Sequence, residues 1–276
     1  MPARATPSAK PLTPRGRSKH MWGIIPAAGL GTRIQPLAFS KELLPLGSRF
    51  SEGTERPKAV SEYLVERMLN AGVDKLCFVI SPGKSDIVRY YGSGIGSAQI
   101  CYVVQPSAAG LCDAIFRGLP LVRDDEPLLV GLPDTLWYPD DAFNALQGDW
   151  LSFLLFPVKH PELFDAVVAD DAGRVSKIQV KTQGASSHWV WGGFRMSGRV
   201  LAALHALWIE RDREDAYVGT LVNEYIARGG YVTSHKVGAQ YFDVGTLDGY
   251  RQAMRSLDPA TAPVSVMSSP ETGRIT

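Results

Sequence analysis

The chain of 276 residues is long enough for one large α/β domain, or at most two small ones. Hydrophobic residues make up 45% and charged residues 21%, and the net charge of +1 argues against nucleic acid or an anionic membrane as the main partner. No continuous apolar stretch of about 18 residues occurs, so the sequence contains no candidate membrane span.

Strand and helix signals alternate over the first 150 residues. The strand-like segments, in chain order, are MWGIIPAA, KLCFVIS, QICYVVQ and PLLVGLPD. The helical segments between them are PKAVSEYLVERMLNAGV, with Gly72 as its C-cap, SDIVRYYG and GLCDAIFRGL. This alternation predicts an α/β fold with a Rossmann-like, doubly wound and largely parallel sheet flanked by helices.

The pattern changes after residue 150. Four strand-like segments follow with few helices between them, namely LSFLLFPV, DAVVAD, RVSKIQVK and HWVWGGFRM, and DDAG at 170–173 predicts a hairpin turn. Helical periodicity returns in VLAALHALWIE and YVGTLVNEYIARGG, before two late strands, YVTSHKV and QYFDVG, and a short helix from Leu247. One domain with a mixed sheet and a β-rich excursion therefore fits better than two independent domains.

We place this single domain at residues 21–257, with a first half at 21–150 and a second half at 151–257. Residues 1–20 carry five Lys or Arg, no acidic residue and four prolines, and they lack the apolar segment of a secretory signal. They are expected to form a disordered basic tail. The segment 258–276, rich in Pro, Ser and Thr, is expected to be a loose C-terminal tail.

The segment IIPAAGLGTRIQPLAFSKELLPLG follows the first predicted strand and contains Gly29 and Gly31. It is not a dinucleotide fingerprint, because Ile34 replaces the third glycine, and it is not a P-loop, because no Gly-Lys-Ser/Thr follows. Glycines after a strand present backbone N–H groups to phosphate oxygens, and Arg33 and Lys41 add cationic donors. The segment predicts a triphosphate cradle, against the alternative of a glycine-rich turn with two solvated cations.

GLGTR, Pro36 and SKELLPL in this segment resemble the opening of the sugar-1-phosphate nucleotidyltransferases, most closely glucose-1-phosphate thymidylyltransferases and UTP–glucose-1-phosphate uridylyltransferases. The resemblance implies a fold of the nucleotide-diphospho-sugar transferase type, with nucleotide bound by the first half and sugar phosphate by the second. It also implies catalytic roles for Arg33 and Lys41, which hold phosphate charge. The implied nucleotide-binding residues of the loop are Ala27, Gly29, Gly31, Thr32 and Arg33.

Two further motifs resemble that family. In VVQPSAAGLCDAI the resemblance implies that Gln105 reads the base and that Gly110 lies against it; an amide suits the O4 and N3–H edge of thymine or uracil. In LLVGLPDT and YFDVGT it implies that Asp134 and Asp243 hold Mg²⁺ and act in catalysis. Each aspartate follows a predicted strand, where the ligands of such sheets gather. Taken alone, these motifs are equally consistent with ordinary strand ends and turns.

The resemblance is weaker on the side of the acceptor. Lys181 in RVSKIQVKTQ matches the family's lysine that binds the phosphate of the sugar phosphate, but Val180 stands in place of a glutamate and Ala166 in place of a glycine. We therefore expect glucose-1-phosphate to be a poorer substrate than in relatives, and a deoxy or acetamido sugar phosphate to be a better one. The expected sugar-phosphate-binding residues are Lys181, Ala166, Val180, Val190 and Gly192.

Together these features predict an enzyme that condenses dTTP or UTP with a sugar-1-phosphate to give an NDP-sugar and pyrophosphate, with Mg²⁺ as cofactor. Two alternatives stay open: transfer to another phosphorylated alcohol such as phosphocholine, and a catalytically weak nucleotide-binding sensor or scaffold. No nucleic-acid or membrane partner is expected, and a homo-oligomer is left open. The three cysteines form no CxxC pair, which favours free thiols in a reducing, cytoplasmic setting.

Overall fold

The computed structural model describes residues 20–258 of the chain. The two predicted tails therefore lie outside the described residues, except for His20 and Asp258 at their inner ends. Within residues 20–258, none of the helices combines the length and the apolar character needed to cross a membrane.

Strands and helices follow one another along the chain much as the sequence predicts. The strands are β1 (Trp22–Pro26), β2 (Pro45–Ser51), β3 (Thr54–Ala59), β4 (Lys75–Ile80), β5 (Gly94–Ile95), β6 (Ala98–Val104), β7 (Pro127–Gly131), β8 (Thr135–Tyr138), β9 (Leu151–Pro157), β10 (Asp165–Ala169), β11 (Val175–Val180), β12 (Trp189–Ser197), β13 (Val232–His235) and β14 (Gln240–Asp243). The helices are α1 (Val60–Asn70), α2 (Ser85–Tyr91), α3 (Gly110–Phe116), α4 (Gly198–Glu210), α5 (Val218–Ala227) and α6 (Leu247–Ser256).

A ten-stranded mixed sheet forms the centre of the molecule. Its parallel part is β7, β1, β4 and β6, in that order, and the short β5 adds an antiparallel edge. On the other side β12 joins β7 in the antiparallel sense, and β12 also pairs with β9 and β10. β11 pairs with β10, and β13 runs parallel to β9. The predicted doubly wound sheet with a β-rich second half is confirmed.

Two hydrophobic cores cover the two faces of this sheet. Consecutive residues of β1 point to opposite faces, so Ile24 lies in the core under α3, α4 and α5 and Ile25 in the core under α1 and α2. Each core also takes side chains from the second half of the sequence, Phe153 in the first and Phe156 in the second. Because each fully buried side chain of this size contributes about 1.5–3 kcal/mol, both halves stabilise the same sheet.

Besides the two-residue edge strand β5, two features of the fold are absent from the sequence prediction. The first is the hairpin β2–β3, whose two-residue turn has φ +53° at Glu52 and +75° at Gly53, as a type I′ turn requires. The second is β8, which pairs with β14 in a separate two-stranded sheet. By contrast, the predicted turn at 170–173 is present: the amide of Gly173, at φ +79°, donates to the carbonyl of Asp170 over 3.0 Å.

Candidate active site

The candidate site lies at the carboxyl ends of the four parallel strands. Because β1, β4, β6 and β7 run in the same direction, the loops that follow them emerge at one edge of the sheet. The glycine loop follows β1, Gln105 follows β6, and Asp134 follows β7. Residues that the sequence placed in separate motifs therefore share one edge.

The glycine loop, residues 27–35, begins where the amide of Ala27 extends the β1–β4 ladder by one hydrogen bond of 2.7 Å. Gly31 has φ +67°, which residues with a Cβ rarely adopt, and its carbonyl closes a turn with the amides three and four residues later. The amides of residues 29–33 donate to no acceptor in the described part of the chain. They remain available to an anionic ligand.

Arg33 and Lys41 each pair with one of the two predicted aspartates. Nη1 of Arg33 lies 2.7 Å from Oδ2 of Asp243, and Nζ of Lys41 donates to Oδ2 of Asp134. The Arg33 side chain is 61% exposed, whereas that of Lys41 is 13% exposed. All four residues predicted to be catalytic are therefore brought together, with one cation open to solvent and the other enclosed.

The small sheet β8–β14 explains how two aspartates more than a hundred residues apart become neighbours. Thr135, next to Asp134, is paired with Asp243 in this sheet, and the amide of Val244 donates to the carbonyl of Asp134 over 2.9 Å. The amide of Gly245 then donates to Oδ1 of Asp243 over 3.0 Å, which fixes the orientation of that carboxylate.

The electrostatics of the two carboxylates differ. Burial alone would lower the pKa of Lys41, but the charges of Asp134 and Glu42 outweigh burial and raise it. Burial would raise the pKa of Asp134, but the Lys41 ammonium outweighs it and lowers the value. At Asp243, burial together with the charge of Asp134 raises the pKa, although Arg33 opposes them. Asp243 therefore has the less compensated charge and would gain more from an additional cation.

A third ion pair, not predicted from the sequence, lies beneath the glycine loop. Nζ of Lys84 lies 2.7 and 2.8 Å from the two carboxylate oxygens of Glu42 and donates to the carbonyl of Ala27 over 2.6 Å. Glu42 is in the 3₁₀ turn Lys41–Leu43. Lys84 thus ties the start of the glycine loop to the turn that carries Lys41. Lys84 lies in the loop after β4, and its contacts with Glu42 and Ala27 are not visible in the sequence.

One carboxylate oxygen of Asp134 and one of Asp243 lie close together, as a shared divalent cation would require. A Cβ built on Gly245 would lie 2.8 Å from Oδ2 of Asp134 and 2.9 Å from Oδ1 of Asp243. Mg²⁺ commonly takes one or two carboxylates and completes its shell with phosphate oxygens and water. In residues 20–258, no group of three His, Cys, Asp or Glu is arranged for a metal. The donors fit a magnesium ion that shares its coordination with a substrate phosphate.

Gln105 is buried, and its side-chain orientation is fixed. Nε2 donates to Oδ2 of Asp113 over 2.7 Å and to the carbonyl of Gly110 over 3.1 Å. Both partners are acceptors, so the amide nitrogen must face them and Oε1 must face away. Gly110 has φ +90°, and a Cβ there would lie 3.0 Å from Cα of Ala216, so the backbone requires glycine at this position whether or not a base binds.

Lys181, the predicted phosphate-binding lysine of the acceptor, directly follows β11. Its φ of +44° lies in the left-handed region, where strained residues at functional sites are often found. Nζ lies 3.3 Å from the Tyr217 hydroxyl and 4.5 Å from the centre of its ring, and both side chains are exposed. Within the described residues Lys181 forms no salt bridge, so its charge is available to a phosphate.

The other four residues predicted on the acceptor side lie in different environments. Ala166 and Val190 pair with each other across β10 and β12 and are 0% and 1% exposed. Gly192 is buried, and a Cβ there would lie 2.6 Å from the Phe156 ring. Of the four, Val180 is the one with partly exposed surface, and it precedes Lys181. Contact between a sugar and Ala166, Val190 or Gly192 stays a prediction.

A backbone contact joins the nucleotide side to the acceptor side. The amide of Leu111, next to Gly110, donates to the carbonyl of Ala216 over 3.1 Å. Tyr217, which follows Ala216, contacts Lys181. The element predicted to read the base is therefore a few residues from the element predicted to bind the acceptor.

Comparison with known proteins agrees with this geometry. The model of the nucleotidyl transferase family matches residues 22–259. The glucose-1-phosphate thymidylyltransferase of Neisseria meningitidis is 30% identical over 182 residues, which cover 63% of this chain and 60% of that protein. The UTP–glucose-1-phosphate uridylyltransferase of Haloferax volcanii is 23% identical over 254 residues, which cover 87% of this chain and 98% of that protein. The chain spans only 46% of a Bacillus subtilis relative.

The same fold occurs in solved structures. The UTP-bound UGPase from Acinetobacter baumannii superposes with a TM-score of 0.68 at 18% sequence identity, over 85% of this chain and 92% of that one. At this identity the likeness establishes the fold, and it confirms the predicted nucleotide-diphospho-sugar transferase type. The match over residues 22–259 establishes more: the chain belongs to the nucleotidyl transferase family, and its relatives there are sugar-1-phosphate nucleotidyltransferases.

Proposed function

We propose that the protein transfers a nucleotidyl group from UTP or dTTP to a sugar-1-phosphate, forming an NDP-sugar and releasing pyrophosphate, with Mg²⁺ as cofactor. The observation that carries this proposal is the paired cluster at the strand ends. Arg33 and Lys41 are held there by Asp243 and Asp134, next to a glycine loop with available amides. Such a site combines donors for a polyphosphate with carboxylates for its metal ion.

The proposed reaction needs no nucleophilic side chain. A sugar phosphate has a second pKa of about 6, so it is mostly a dianion at neutral pH and serves as the nucleophile itself. One of its oxygens attacks the α-phosphorus of the nucleotide, the bond from that phosphorus to the bridging oxygen breaks, and pyrophosphate leaves with the electron pair. The main barrier is the alignment of two polyanions, which fixed cations and backbone donors lower.

The exposure of each cation indicates which phosphate group it would bind. Lys41 is enclosed and held by Asp134, which suits a fixed charge beside the α-phosphate. Arg33 is open on the glycine loop, which suits the outer phosphates that leave as pyrophosphate. Lys181 binds the incoming phosphate. A magnesium ion held by Asp134 and Asp243 would add positive charge at the α-phosphate.

The fixed amide of Gln105 supports the choice of base. Because Nε2 is engaged by Asp113 and Gly110, the group left for a ligand is the acceptor Oε1. Uracil and thymine present an N3–H donor to such an acceptor, whereas N3 of cytosine is itself an acceptor. We therefore expect UTP and dTTP to be used in preference to CTP.

The test is pyrophosphate release with UTP, dTTP, CTP and ATP, each offered with a panel of sugar-1-phosphates and with phosphocholine. The Lys41→Ala variant, for which a large loss of turnover is expected, serves as the background control. Release with UTP or dTTP and a sugar phosphate supports the proposal. Release with phosphocholine alone favours the alternative transferase, and nucleotide binding without release with any acceptor favours a sensor or scaffold.

A further inference from the structure

A carboxylate that the sequence analysis did not single out lies beside the acceptor lysine. Asp165 is the first residue of β10 and is paired across the strands with Val180, the residue before Lys181. Cross-strand partners project to the same face of a sheet. A Cβ on Gly219 would lie 2.6 Å from Cγ2 of Val180 and 3.1 Å from Oδ2 of Asp165, so both side chains face the start of α5.

The Asp165 carboxylate has few partners for a group that is mostly buried. The indole Nε1 of Trp191 lies 3.5 Å from Oδ2, which is a long hydrogen bond, and the backbone of Gly219 lies close enough to the carboxylate to lower its pKa. Two carboxylate oxygens have about four acceptor positions, so capacity for further donors remains. Burial raises the pKa of Asp165, and the charge of Lys181 only partly opposes this effect.

We propose that Asp165 determines acceptor specificity by accepting a hydrogen bond from a hydroxyl or amino group of the sugar whose phosphate Lys181 binds. This inference rests on the proposed function. The substrate class it names is a sugar-1-phosphate with a free donor on that edge, and an amino sugar gains most because its ammonium also pairs with the charge of Asp165. A deoxy sugar, which lacks the donor, is a poor substrate.

This inference reverses the expectation drawn from the sequence. That expectation came from Val180, which removes a charged acceptor, and from Ala166, which adds a methyl group, and together they favour a less polar sugar. The register of β10 and β11 places a carboxylate directly opposite the valine. The polar edge of the site is therefore kept, and the carboxylate that provides it lies on the neighbouring strand.

A purely structural role makes a different prediction. Tyr217, the N-cap residue of α5, makes no side-chain capping bond, and the negative charge of Asp165 beside Gly219 stabilises the positive end of the helix dipole. If that were its whole role, substitution would lower stability and slow turnover with every acceptor alike. A role in recognition changes the ratio between acceptors that differ in one group.

The experiment measures kcat/KM with UTP or dTTP for glucose-1-phosphate, glucosamine-1-phosphate and the 2-, 3- and 4-deoxy derivatives of glucose-1-phosphate. The wild type is expected to prefer glucose-1-phosphate to one deoxy derivative by about tenfold or more. It should prefer glucosamine-1-phosphate to the same deoxy derivative by a similar or larger factor. Asp165→Asn should reduce these ratios to about threefold or less. The control Asp171→Asn, an exposed carboxylate in the turn after β10, should leave them unchanged.

A second variant keeps the test decisive if Asp165→Asn is unstable. Asp165→Ala alone should lose the preference for glucose-1-phosphate. The double variant Asp165→Ala with Val180→Glu places the carboxylate on the neighbouring strand β11 and should restore that preference. Unchanged ratios in Asp165→Asn, or a wild type that prefers deoxy sugars, would overturn this inference and leave the proposed function standing. No pyrophosphate release with any sugar phosphate would overturn both.

Discussion

The buried ion pair between Glu42 and Lys84 is expected to stabilise both the fold and the glycine loop. The Glu42 side chain is 1% exposed and that of Lys84 12%, and Lys84 also holds the carbonyl of Ala27. Lys84→Met would remove the salt-bridge partner of the buried Glu42 carboxylate and leave only the weaker interaction with Lys41. Breaking a buried pair in this way costs about 3–5 kcal/mol, a large part of a typical stability of about 5–15 kcal/mol. We expect Lys84→Met and Glu42→Gln each to lose an amount in that range.

The double variant distinguishes the interaction energy between Glu42 and Lys84 from the contributions of each residue's other contacts. Glu42→Gln with Lys84→Met removes both charges, so its loss of unfolding free energy should be smaller than the sum of the two single losses. Urea unfolding measures these losses of unfolding free energy. At low temperature, where the variants are folded, their kcat should also fall because Lys41 adjoins Glu42. Arg228→Met, which breaks exposed pairs with Glu210 of α4 and Glu224 of α5, is the control and should change little. Additive losses, or single losses below about 1 kcal/mol, would refute the reasoning.

Three further predictions concern the reaction itself. Arg33→Ala and Lys41→Ala, each correctly folded by circular dichroism, should lower turnover by about a hundredfold or more, and near wild-type rates would refute the phosphate assignment. Activity should vanish in excess chelator and return with Mg²⁺ or Mn²⁺, and Asp243→Asn should need more metal; full activity in chelator contradicts the two-carboxylate site. Asp113→Leu should free the amide of Gln105 to rotate, so the ratio of kcat/KM for UTP over CTP should fall, and an unchanged ratio would show that Asp113 does not orient it.

Most of the fold could be predicted because its signals are local. The buried strands of the central sheet are continuous apolar runs, and the helices between them have their own periodicity and caps. The pairing of β8 with β14 was not predictable in the same way. β8 has four residues, too few for a pattern, and its partner is about a hundred residues away. Yet this pairing is what brings Asp243 to Asp134.

The candidate site was predictable where a residue's type and position suffice, and not where its partners decide its role. Arg33 and Lys41 were predicted from their place in the glycine-rich segment and from its resemblance to the family, whereas Lys84 is singled out only by its contacts with Glu42 and Ala27. Asp113 belongs to an ordinary helix pattern, and its bond to Gln105 depends on how α3 meets the end of β6. Asp165 gains its meaning from a cross-strand register, which the sequence does not display.

The charges of the site are balanced before any substrate binds. Arg33, Lys41 and Lys84 face Asp243, Asp134 and Glu42, one cation to one carboxylate. In the proposed reaction, the phosphates of the nucleotide pair with Arg33 and Lys41, and Asp134 and Asp243 would hold the magnesium ion. Binding then exchanges one set of ion pairs for another, and for Lys41 and Asp134 the cost of burying the charge has already been met during folding. The Glu42–Lys84 pair takes no part in that exchange, so it keeps the glycine loop and Lys41 in place while their partners change.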